Sequence, residues 1–232
     1  MAYYENPGML AKHLAEWTQY DDKDKARLSA VLVDDGSPRN PAEAAIRAHG
    51  SVGFPITLLR VLENKPWNQD GARNLAMKIA EGWTLMTDMD HMLTRYSVGG
   101  LLECVKVAKR CDYYMPQRVD QDGAPEHPHP NSFVMHVDDF WSMGGYDEDF
   151  SGVYGSDGNF RKCMRAGLRE MNTTLFCLKR YGREAVPDAS TTDWGRKESP
   201  YHRSRFPKLE AKSRGPAYRA KDHLRFPWER VI

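Results

Sequence analysis

The chain has 232 residues, enough for one well-buried core and short for two. Its composition is that of an ordinary soluble globular protein, with no low-complexity tract and no repeat at a fixed period. A net charge of +1 gives the molecule no electrostatic reason to seek nucleic acid, and no apolar run approaches the roughly 20 residues of a membrane span.

No charged-then-apolar leader opens the chain. The four cysteines, Cys104, Cys111, Cys163 and Cys177, form no C-x-x-C pair and read as reduced thiols, so the expected location is the cytoplasm.

In chain order, residues 1–4 read as the last part of a first strand, apparently truncated at its front. Asn6-Pro7 then opens a helix, Asn as cap and Pro at the first helical position, with Leu10, Leu14 and Trp17 on one stripe. Residues 28–33 (LSAVLV) form a short continuous apolar run typical of a buried parallel strand, ending at Asp34-Asp35-Gly36-Ser37. A short helix is expected over 41–48 and a second strand over 56–62. A helix follows over 68–81 with Leu75, Ala76, Ile79 and Ala80 on one face, then a third strand over 83–87 closed by Asp88-Met89-Asp90.

Beyond these come a helix over 94–109, strands near 113–116 and 132–137 around a loop rich in Pro, His and Asp, a helix over 157–166 and a strand near 172–178. Strands alternating with helices predict an α/β fold, a mostly parallel Rossmann-like sheet with helices on both faces, occupying residues 1–186. Residues 187–232 hold 11 Lys/Arg against 6 Asp/Glu and read as a basic C-terminal extension, either a solvated tail or a lid over a phosphate-bearing ligand.

In open α/β sheets ligands bind beyond the carboxyl ends of the strands, and acids cluster there. D-x-D occurs four times, at Asp22, Asp88, Asp120 and Asp147, but only Asp88-Met89-Asp90 directly follows an apolar strand. Two close carboxylates need a counter-charge, and oxygen donors suit Mg²⁺ or Mn²⁺ with substrate phosphates filling the open positions. At the end of the first full strand, Asp34-Asp35-Gly36-Ser37 is either a turn or a place where a carboxylate meets a ribose hydroxyl or a base N–H. The segment from Phe140 to Asp157 adds Gly144-Gly145, four acids and five aromatics, which could wall a sugar site or fill the core.

V-D-D-G-S after a strand, Ala72-Arg73-Asn74 in a helix, a strand-end D-x-D and then G-G-Y-D-E-D-F-x-G, in that order, resemble glycosyltransferase family two, of GT-A fold. The last block is also similar to the galactosyltransferase-like branch, and the likeness covers residues 2–177. It implies an enzyme that moves a sugar from a nucleotide diphosphate, a UDP-sugar, to a saccharide or other hydroxyl acceptor with inversion. It further implies nucleoside contact by Asp34 or Asp35 together with Ala2 and Tyr3. Arg73 would lie near the diphosphate, Asp88 and Asp90 would hold Mn²⁺ or Mg²⁺, and Gly144 and Gly145 would line the donor sugar. Asp157 would be the catalytic base and His202 a late metal ligand. Ser156 departs from the pattern, since the family has Glu there.

Two rivals are poorly supported: a nucleotidyltransferase needs a Gly-rich, basic front loop, and a dehydrogenase needs G-x-G-x-x-G. A third is a non-catalytic domain binding a nucleotide-sugar or a partner, derived from such an enzyme, which the clipped front and Ser156 favour.

Overall fold

The computed structural model describes residues 1–65, 67–152, 156–191 and 222–232. At its front, β2 (Ala30–Asp34) runs parallel between β1 (Ala2–Tyr3) and β3 (Ile56–Val61). Leu32 and Val33 are both fully buried, in different core clusters. Each face of β2 is therefore covered, which is why its sequence is a run of apolar residues rather than an alternation. One cover is α1 (Pro7–Thr18), whose Leu10, Leu14 and Trp17 form the predicted stripe together with buried Met9 and His13. The other is α4 (Gln69–Ile79), which lays Ala72, Leu75 and Ala76 against Val33, Leu59 and Val61.

The start of α1 differs from expectation. Asn6 makes no side-chain cap; instead Asp188 accepts from Gly8 N at 2.6 Å and Met9 N at 2.9 Å. A carboxylate from the far end of the chain thus satisfies the unpaired N–H groups that every helix start leaves. Next in order are α2 (Asp22–Lys25), a single charged turn, and α3 (Ala42–His49), which packs on α1.

The second sheet is built from β4 (Trp83–Met86), β5 (His91–Leu93), β6 (Asp112–Val119), β7 (Pro125–Glu126), β8 (Phe133–His136) and β9 (Arg169–Arg180). Its order is β4-β8-β6-β9-β5, with β7 paired to β6. Around it lie α5 (Val98–Val107), α6 (Val137–Ser142), a 3-10 turn at Glu148–Phe150 and α7 (Asp157–Gly167). The fold is α/β, helices on a curled mixed sheet. Among the described strands, parallel pairing is confined to β1-β2-β3 and to β6-β9. A parallel crossover needs a long connection, usually a helix. Helices do separate β1 to β4, whereas β4 to β5 and β7 to β8 are joined by short links without one.

The aromatics of the Gly-Gly segment are core. Phe140, Tyr146 and Phe150 are essentially inaccessible to solvent, and Phe140 and Tyr146 pack with Phe133 and Phe160; Tyr154 lies outside the described residues. Both described ends of the predicted extension pack on the globule. Asp188 caps α1, and β10 (Trp228–Arg230) adds antiparallel to β3 while Phe226 enters the core beside α4. The rest of it, residues 192–221, lies outside the described residues, so the expected lid falls there too. All four cysteines are free thiols. Among the described residues no helix is long and apolar enough to cross a membrane.

Candidate functional site

The carboxyl ends of β2 and β4, the start of α7 and the loop before β8 converge on a cavity of about 230 Å³. Ala2, Tyr3, Asp35, Asp88, Asp90 and Asp157 line it, joined by Ser190 and Thr191. Residues spread over almost the whole sequence therefore meet in one depression. Asp157 stands in the first turn of α7, where a helix N-terminus favours negative charge. Asp88 and Asp90 sit on the short turn between β4 and β5, and the Met89 carbonyl of that turn is bonded by buried His13 at 2.8 Å.

Beneath the cavity lies Arg73, with side-chain exposure of only 2 %. Its guanidinium bonds Asp88 Oδ1 at 2.6 Å and Asp157 Oδ1 at 3.0 Å, approaches Asp70 at 3.7 Å, and rests over the Tyr146 ring. A buried cation is tolerable only where anions and hydrogen bonds answer it. Arg73 thus joins the D-x-D turn to the start of α7. Burial by itself would raise the Asp88 carboxyl, but Arg73, helped by His129, holds it down at about 2. For Asp70 burial prevails over Arg73 and lifts the carboxyl to about 7. The neighbouring residue of the motif is a fastener: Asn74 pairs with both N and O of Tyr146 and donates to Glu148 Oε1 at 3.0 Å. Glu148 in turn accepts from the backbone N of Leu224 and Arg225.

The structure separates the two aspartates after β2. Asp34 is fully buried and accepts from Ser37 N and Ala42 N, each at 2.9 Å, so its carboxylate shapes the turn and starts α3. Burial raises its pKa, offset in part by those backbone bonds. Asp35 lines the cavity and accepts from Asn68 Nδ2 at 2.9 Å. Ala2 and Tyr3 line it as well, with the Tyr3 ring buried.

Arg73 reaches the site from below and is not among the lining residues, so it meets Asp88 and Asp157 where a diphosphate contact was expected. Gly144 and Gly145 are not brought to the cavity either. Both have positive φ, and a Cβ at Gly145 would lie 2.9 Å from Asn74 Oδ1 and 3.0 Å from Trp141. Glycine is needed there for the turn and for close packing on α4. Ser156 is buried, its hydroxyl on Asp70. His202 lies outside the described residues.

Among the described residues no group of three or more His, Cys, Asp or Glu side chains is gathered for a metal. Of the carboxylates that line the cavity, Asp88 and Asp90 on the β4–β5 turn fit a hard cation that takes one or two protein oxygens and completes its shell with phosphate and water oxygens. They do not fit an all-protein cage.

Sequence reasoning missed several residues at the cavity. His129 places Nδ1 3.6 Å from Asp88 Oδ2 and packs its ring 4.6 Å from that of His91. Burial pushes its pKa down, countered by Asp88. Asn131, Tyr4, Lys65 and Trp67 also line the cavity. The only signal for His129 was its place in the Pro- and His-rich loop entering β8, at the sheet's ligand edge.

No family model and no curated protein matches the sequence. Among solved structures, the chain is similar to S. aureus TarS, with TM-score 0.62 and 13% identity over 81% of this chain and 37% of that one. S. aureus TarS 1-349 gives TM-score 0.59 and 13% identity over 81% of this chain and 61% of that one. The chain thus spans less than two thirds of either. GalNAc-T7, solved with UDP, GalNAc and Mn²⁺, is similar at TM-score 0.48 and 14% identity over 66% of this chain and 37% of that one, too slight a likeness to bear on this molecule. The TarS likeness shows a glycosyltransferase fold of the GT-A kind.

Proposed function

We propose that the chain is the donor-binding and catalytic domain of a metal-dependent glycosyltransferase, acting on a UDP-sugar and a hydroxyl acceptor with inversion. The observation that carries this reading is the meeting of Asp35, Asp88, Asp90 and Asp157 around one cavity of about 230 Å³ in a GT-A fold. In this reading Asp35, Ala2 and Tyr3 bind the nucleoside, Asp35 accepting from a ribose hydroxyl or base N–H. Asp88 and Asp90 hold Mn²⁺ or Mg²⁺, which when bound offsets negative charge on the diphosphate. Asp157 takes the proton of the acceptor hydroxyl as that oxygen attacks the anomeric carbon, and the nucleoside diphosphate departs from the opposite face. Arg73 acts from beneath, holding Asp88 and Asp157 at a fixed separation.

The test is a calorimetric titration with UDP- and GDP-sugars, with and without Mn²⁺, alongside assay of nucleotide release on saccharide acceptors. Binding that requires the cation, with release lost in Asp157→Asn while donor affinity persists, is the expected result. Donor binding without turnover in the wild type would favour the non-catalytic alternative. No binding of any nucleotide-sugar would end both.

A further inference from the structure

Asp90 differs from Asp88 in what holds it. Arg73 grips Asp88 from below, whereas Asp90 Oδ1 meets His91 Nδ1 at 2.7 Å. The other ring nitrogen, His91 Nε2, meets Arg118 Nη1 at 3.1 Å. An arginine can only donate, so Nε2 must accept and the imidazole must carry its proton on Nδ1. That proton is then given to Asp90. Arg118 is itself paired with Glu126 at 3.0 Å, and Arg180 bonds the same carboxylate at 2.9 and 3.0 Å.

These residues are placed by strand register. Arg118 stands opposite Glu126 in β6·β7, and His91 opposite Arg180 in β5·β9. His91 is 1 % exposed, and its ring packs against that of His129. Neither the position nor the plane of the imidazole is free to vary.

We propose that His91 is a positioning residue for Asp90, its tautomer set by Arg118, which Glu126 holds as an ion pair, and that this chain of contacts presents the Asp90 carboxylate to the divalent cation. The proposal rests on the metal-dependent reading above. Bond donation to Oδ1 fixes one oxygen and the plane of the carboxylate, so the other oxygen meets the cation without a rotational search. Groups that orient a metal ligand in this way govern affinity although they never touch the ion.

The first measurement needs no variant. In the full chain with ¹⁵N-labelled histidine, long-range ¹H–¹⁵N spectra report which ring nitrogen is protonated, and His91→Asn assigns the resonance. The expected result is protonation of His91 at Nδ1, lost to the Nε2 form in Arg118→Met. A wild-type His91 protonated at Nε2 overturns the proposal.

The second measurement is binding of Mn²⁺ alone, read from the free-ion paramagnetic resonance signal. His91→Gln and His91→Phe, which cannot donate from the Nδ1 position, should weaken Mn²⁺ by about tenfold or more. His91→Asn, whose amide can donate there, should stay close to wild type, which a merely packed histidine would not predict. Unchanged Mn²⁺ affinity in a folded His91→Phe overturns the proposal. If wild type binds no Mn²⁺, or Asp90→Asn binds it normally, the metal reading itself falls and takes the proposal with it, an outcome distinct from failure of the relay.

Discussion

Arg73 is a cation almost without water, answered by Asp88 and Asp157 at bonding distance and by Asp70 slightly further off. Truncating one member of such a group leaves uncompensated buried charge, which costs about 3–5 kcal/mol. Arg73→Met should lose stability on that scale in urea denaturation. Arg73→Lys should lose much of it too, since a single ammonium nitrogen lacks the planar fork by which Nη1 and Nη2 reach Asp157 and Asp88 separately; near wild-type stability for both variants would refute the hub.

The acids titrate in opposite senses. Asp70, lifted by burial to about 7, has an unfolded-state value of roughly 3.9. Between those values the native state keeps a proton that the unfolded chain has lost, so stability falls as pH rises across the window and levels above it. Asp88, held by Arg73 at about 2, contributes fully above its unfolded value and loses that contribution as pH drops from there towards 2. Asp70→Asn, neutral throughout, should therefore gain on wild type as pH rises from 4 to 8. A Tm difference that stayed constant over that range would refute the assignment to Asp70.

Elements are held together by side chains acting as backbone partners. Asp188 starts α1, Asn74 fastens the Gly-Gly-Tyr segment, and Glu148 receives the returning chain. Removing a capping side chain costs about 0.5–2 kcal/mol. Asp188→Ala should lose that much, with faster amide exchange at Gly8 and Met9 and unchanged exchange at the other end of α1; unchanged exchange at Gly8 and Met9 would exclude the cap.

Such long-range partners also set what the sequence could disclose. The strands β2, β3 and β4 and the helices α1, α4 and α7 were legible because periodicity and punctuation are local. By contrast β5, β7 and β10 are two or three residues long and exist as strands only by register with β9, β6 and β3. At the candidate site, Asp88 and Asp90 were legible from their place at a strand end, and Asp157 only through the family resemblance. Asp34 and Asp35 could not be told apart, because which one turns inward depends on the start of α3. Arg73 was picked out by motif, but its burial depends on α4, the β4–β5 turn, the Tyr146 segment and the start of α7 meeting. His129 lies in a loop with no period to betray it.

Across the whole molecule α4 is where the parts meet. Ala72 and Leu75 pack on the front sheet, Asn74 holds the Tyr146 segment, and Arg73 holds both acidic ends of the site. The last described segment closes this arrangement from outside. Phe226 approaches so closely that a Cβ on Gly71 would lie 2.5 Å from its ring. Backbone bonds from Leu62 to Pro227 and from Val231 to Leu58 tie the same segment to β3.

If α4 couples the two sheets, weakening its outer contact should destabilise both together. Phe226→Ala removes a large buried side chain and should cost about 3–5 kcal/mol. The urea midpoint should fall with little change in m, as one transition in both far-ultraviolet dichroism and tryptophan fluorescence. Trp17, on α1, packs in the core with Leu32 and Leu58 of the front sheet, and Trp141 packs against the cluster of Phe140, Tyr146 and Phe160, so fluorescence samples both regions. Separation into two transitions would mean that the front sheet unfolds alone. The geometry of Asp88 and Asp157 would then have to be maintained without the support of β2 and β3.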